Sequence, residues 1–149
     1  MTRTRTMLAA ALILAASAAK AASPADIAAG LAPEVVQVVS GGTWEDSGKK
    51  GGYRAVLVAP VGGGPAQLFL EWLAAGAEGG PPALVATSPI KEINDLKMPD
   101  ATLSSETEKK NEFTVFVDPN DPNKDGGQTY AILAGAPGKY TFSLGAPPE

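Results

Sequence analysis

Between residues 35 and 144 the chain breaks into short apolar runs separated by clusters of Gly, Pro, Asn and Asp. Short runs rich in β-branched and aromatic side chains, bounded by such clusters, predict strands. They fall at 35–40, 52–60, 67–74, 83–88, 102–108, 112–118, 128–134 and 139–144. Gly41-Gly42 interrupts the first run, and turn residues at 46–51, 62–65 and 79–82 separate the next ones. Alternation is sharpest in the last run. Tyr140, Phe142 and Leu144 are predicted to face a core, and Lys139, Thr141 and Ser143 to face water. Phe113, Val115 and Val117 make a second apolar face opposite Thr114 and Asp118. This period of two predicts an antiparallel sheet with one wet side. The fold expected is all-β: an antiparallel β-sandwich of about seven to nine short strands, with a small barrel as the alternative. The segment 90–96 reads either way. Ile90, Ile93 and Leu96 suit one helical turn, but Pro89 and Pro99 bracket it.

The N-terminus has a different texture. Arg3 and Arg5 precede an apolar run from Met7 to about Ala16, and Ala19-Lys20-Ala21 supplies small residues at A-x-A spacing. This pattern predicts a cleaved secretory signal over residues 1–21, too short to span a bilayer. Residues 22–34 read as an Ala-rich lead-in, and 35–149 as a single β-sandwich domain. The protein is expected to be exported, to a periplasm or beyond the cell, with no membrane insertion after cleavage.

Composition removes whole classes of chemistry. There are no cysteines and no histidines. Disulfides, thiol catalysis, thiolate metal sites and His-based acid/base or nucleophile pairs are therefore excluded. The net charge is −4, and losing Arg3, Arg5 and Lys20 with the signal makes it more acidic. An acidic chain is a poor partner for a phosphate backbone, so no nucleic acid is expected. The 17 glycines and 13 prolines argue against a helical domain.

Three groups of residues carry candidate chemistry. Asp121, Asn123 and Asp125 stand at alternate positions before Gly126. They resemble the first half of a calcium loop, in which alternate oxygens converge on one ion. The acid required at the twelfth position is replaced by Ile132, and the same residues also make a good polar turn. No cofactor is expected, and calcium is the one ion this pattern points to. Trp44, Tyr53 and Trp72 form an aromatic set. Trp72 is in step with Leu68 and Leu70 and belongs in the core; Trp44, at a strand end, is the ring expected to be exposed for a protein or carbohydrate partner. Glu71, between Phe69 and Leu73, would have a raised pKa if buried. With Asp46, Glu92 or Asp95 it would make the carboxylate pair that glycoside hydrolysis needs. The simpler expectation is that Glu71 points to solvent. The function expected is a non-catalytic binding or structural role rather than an enzyme. The alternatives are an exported carbohydrate-active enzyme with paired carboxylates and a calcium-stabilised accessory module.

Overall fold

The structure, a computed structural model, describes residues 29–76, 80–107, 111–120 and 128–146. The predicted signal at 1–21, most of the lead-in and the loop residues Asp121, Asn123 and Asp125 lie outside the described residues. The chain divides into two units, Met1–Leu31 and Ala32–Glu149. The architecture below is that of the second.

Among the described residues eight strands form two four-stranded antiparallel sheets, each a simple meander. Sheet A contains β1 (Val35–Asp46), β2 (Lys49–Val58), β3 (Gln67–Ala74) and β4 (Ala83–Pro89). One helical turn, α1 (Lys91–Asn94), leads to sheet B. That sheet contains β5 (Ala101–Glu106), β6 (Thr114–Pro119), β7 (Tyr130–Ala134) and β8 (Tyr140–Leu144). The all-β expectation holds, and two sheets around a shared core fit a sandwich. No described helix is long and apolar enough to cross a membrane.

Period-two alternation builds the core. The inner rows of sheet A pair Tyr53 with Trp72, Ala55 with Leu70, and Leu57 with Leu68, and all six side chains are buried. Sheet B contributes Leu103, Val115, Val117 and Ile132. Phe113, just ahead of β6, stacks on Tyr53 at 5.6 Å between ring centroids. Ile90 and Ile93 are buried beside α1, whereas Leu96, expected on the same helical face, is exposed. Two further positions depart from the simple pattern. Leu144 lies in an inward row but is exposed, because it ends the outermost strand of sheet B. Thr114, expected to be wet, is buried.

Two side-chain amides substitute for strand backbone. Gln37 of β1 donates Nε2–H to the Leu103 carbonyl at 2.7 Å and accepts from the Leu103 N–H at 2.8 Å. Asn94 treats Leu68 the same way, accepting its N–H at 2.7 Å and donating to its carbonyl at 3.2 Å. An amide carries a donor and an acceptor side by side, so it completes a ladder where no strand fits. Gln37 thereby joins the edge of sheet A to β5, and Asn94 anchors α1 to β3.

Candidate functional site

Gly41-Gly42 does not end β1. The strand continues to Asp46, with a register shift between Gly41 and Trp44. This irregularity changes which parity faces inward. Trp44 would otherwise share the outer face with Val36 and Val38. Instead it is 4% exposed and donates Nε1–H to the Gly52 carbonyl at 3.0 Å. The expectation of an exposed ring at Trp44 is therefore corrected. Gly42 permits the shift: its φ is +57°, and a Cβ there would lie 2.7 Å from the Glu112 carbonyl oxygen.

The other two aromatic candidates are core residues. Trp72 Nε1–H and the Tyr53 hydroxyl both donate to the Gly135 carbonyl, at 2.9 and 3.2 Å. That carbonyl opens the β7–β8 connection, so the two bonds tie sheet A to sheet B. Burial pushes the Tyr53 phenol pKa up. Trp44 and Tyr53 border an open cleft of about 830 Å³ floored by Gly41, Gly51 and Gly52, with Glu45 and Lys50 on its wall. Glu45 and Lys50 sit opposite each other in the β1–β2 ladder. Ser40, Thr43 and Asn111 also line it, and the Thr43 hydroxyl donates to Asn111 Oδ1 at 3.0 Å.

The carboxylates of the proposed pair are dispersed. Glu71 lies on the outer face of β3, where Arg54 Nε donates to it at 2.6 Å and Nη2 lies 2.5 Å away. Asp46 closes the β1–β2 hairpin beside Ser47. Glu92 accepts from the Tyr140 hydroxyl at 2.9 Å, and Asp95 pairs with Lys91. Burial, then the bond to Glu92, raise the Tyr140 pKa, and Asp95 raises that of Lys91. Among the described residues each carboxylate of this set has a different partner.

At the base of the loop that carries Asp121, Asn123 and Asp125, Asp118 accepts from the Thr129 hydroxyl at 2.5 Å. Asn120 donates to Asp100 at 2.9 Å. Among the described residues no cluster of three or more metal-ligating side chains forms.

The least expected feature is the edge of β4, which has no strand on its outer side among the described residues. β4 ends sheet A with Leu84 56% and Val85 41% exposed, as β8 ends sheet B with Leu144 58% exposed. Residues 83–88 contain no charge. Edge strands are ordinarily guarded by charges, prolines or cover, and here Pro89 stands only at the end. The Ile90 N–H donates to Leu68 at 2.9 Å. Bonded and non-bonded pairs alternate in an antiparallel ladder, so Ser88 and Ala86 bond inward to β3. The Thr87 N–H and carbonyl then point away from the sheet. Sequence patterning identified this strand but not its position, because an uncharged apolar run reads as a central strand. No family model matches the chain, and comparison with curated proteins and with solved structures finds no match.

Proposed function

We propose that the protein is an exported, non-catalytic binding module that captures an extended polypeptide segment along β4. The observation that carries this reading is an edge strand without charge, with Leu84 and Val85 exposed. An outward N–H and carbonyl on an exposed strand edge, otherwise hydrated, can pair with another extended backbone laid along it. Leu84 and Val85 supply apolar contacts that favour alternating apolar side chains in that ligand. The dispersal of Glu71, Asp46, Glu92 and Asp95 among separate partners supports a non-catalytic role over glycoside hydrolysis. The basic, apolar and A-x-A pattern of residues 1–21 supports export.

The test is to select binders from a displayed library of short linear peptides and to map them by backbone amide shifts. Shifts centred on Ala83–Pro89, lost in Thr87→Pro, are expected. That substitution removes an outward N–H while leaving the β3 ladder intact, as prolines on edge strands do. Binders that instead shift Trp44 and Gly52, and ignore Thr87→Pro, sink the reading.

A further inference from the structure

The outward face of sheet A is striped. The strand register lines up Val38, Val56, Phe69 and Pro89 in one row across the sheet. The next row is Ser40, Arg54, Glu71 and Thr87. Beyond it, Leu73 of β3 stands against Leu84 of β4. A polar row is thus flanked on both sides by apolar side chains, and its two charges pair with each other. Val36 and Val38 are 54% and 43% exposed. Single exposed valines are ordinary, but a contiguous apolar band marks an interaction surface.

We propose that this face is the interface of a two-fold homodimer. The argument is charge self-complementarity. Consider a dyad in the interface plane, parallel to the strands and between β2 and β3. It keeps every row in register and exchanges the two strands. Val56 of one copy then meets Phe69 of the other, and Arg54 meets Glu71. Two internal ion pairs become a ring of four alternating charges enclosed by apolar rows. A dyad running across the strands sets Arg54 against Arg54, and like charges at an interface disfavour that arrangement. The same patch on both copies is what a two-fold interface requires.

The size is adequate. Four strands about 4.8 Å apart, with about eight residues rising about 3.3 Å each, span roughly 19 by 26 Å. That is about 500 Å² in projection, and protruding side chains add accessible area, so the face is of the order of the ~800 Å² per partner of a standard interface. A partner of different sequence would need the mirrored charge order; a second copy has it by symmetry. Leu84 borders both surfaces, but Val38 and Arg54 belong to this face alone and the outward Thr87 N–H to the β4 edge alone, so substitutions at those positions separate the two proposals.

The experiment is sedimentation equilibrium, over micromolar concentrations, on the protein recovered from expression of the full chain. A dimer is expected. Val38→Lys and Arg54→Glu should each give a folded monomer by circular dichroism, since both side chains project outward. Val38→Ser, which removes apolar area without adding charge, should weaken the dimer roughly tenfold. The double exchange Arg54→Glu with Glu71→Arg should restore it, because the swap preserves both the internal pairs and those between copies. A monomeric wild-type protein overturns the proposal. So does a dimer indifferent to Val38→Lys and Arg54→Glu, or one lost only in Thr87→Pro. Peptide capture measured on the same samples tests the β4 reading independently.

Discussion

Ser47 and Gly48 both have positive φ, at 51° and 76°, and they form a two-residue connection between Asp46 and Lys49. Two positive values define a type I′ hairpin turn, whose twist matches the flanking strands. Glycine adopts this conformation freely, but serine carries a left-handed cost of about 1–2 kcal/mol. Asparagine tolerates it better. Ser47→Asn is expected to gain about 1 kcal/mol and to raise Tm by about 3–5 °C in calorimetry. A lower Tm would mean that the Ser47 hydroxyl bond to Asp46 outweighs the backbone term. Tyr53 gives a pH-dependent prediction. Its pKa is raised in the folded state by burial. The unfolded chain releases this proton near pH 10 while the folded chain still holds it. The stability linked to it is therefore complete below about pH 10 and is lost as pH rises through the folded value. Tyr53→Phe removes the bond to Gly135 and should cost about 0.5–1.5 kcal/mol at neutral pH. Urea midpoints for the two proteins should converge above about pH 10.

Ladders join the strands within each sheet, and two side-chain amides close gaps that the ladders leave. At the β1–β5 seam, Gln37 is the group that bonds both the N–H and the carbonyl of Leu103. Gln37→Leu keeps the volume but leaves two partly buried backbone groups without those partners. A loss of about 1–3 kcal/mol is expected, seen as a lower urea midpoint with an unchanged slope. Hydrogen exchange at the Leu103 amide should accelerate with it, and an unchanged rate would show that the seam does not depend on this bond. The β6–β7 connection gives the opposite kind of prediction. Asp118 and Asp100 at its base are already engaged by Thr129, Asn120 and the Ala101 N–H. Asp, Asn, Pro and Gly in the loop are turn chemistry in their own right. Thermal unfolding is therefore expected to coincide in calcium, in magnesium and in EDTA. A calcium-specific rise of several degrees that vanishes in Asp121→Ala would instead establish an ion site in that loop.

At the scale of the whole molecule, the core belongs to both sheets. Tyr53 and Trp72 of sheet A are bonded to Gly135 of the β7–β8 hairpin, and Phe113 stacks on Tyr53. Neither sheet can lose its partner without exposing this aromatic layer. Unfolding is expected to be one cooperative transition, with near-ultraviolet and far-ultraviolet circular dichroism superimposing. An early loss of the aromatic signal would show that the sheets separate before they melt. The two faces of sheet A serve different ends. The inward face closes this core, while the outward face and the β4 edge carry exposed apolar side chains outside it. Without histidine or cysteine, acid/base chemistry in this domain falls to carboxylate, lysine and tyrosine side chains. Among the described residues the exposed large apolar side chains Val36, Val38, Leu84 and Val85 lie on sheet A.

The sequence by itself determined the all-β class and the location of most strands, since a period of two and Gly, Pro and Asn punctuation are local properties. Residues 67–74 are β3 as predicted, and Phe113, Val115 and Val117 face the core. It also excluded thiol and imidazole chemistry outright. Tertiary structure decided the rest. Trp44 turned inward because Gly42 packs against Glu112 and Phe113, residues about seventy positions away, and forces a shift in parity. Gln37 reads as a polar residue in an apolar run until β5 arrives beside it. Residues 83–88 have the composition of a central strand, and only the meander leaves them at an edge. Alternation records which face a side chain prefers; neighbours distant in sequence decide what that face meets.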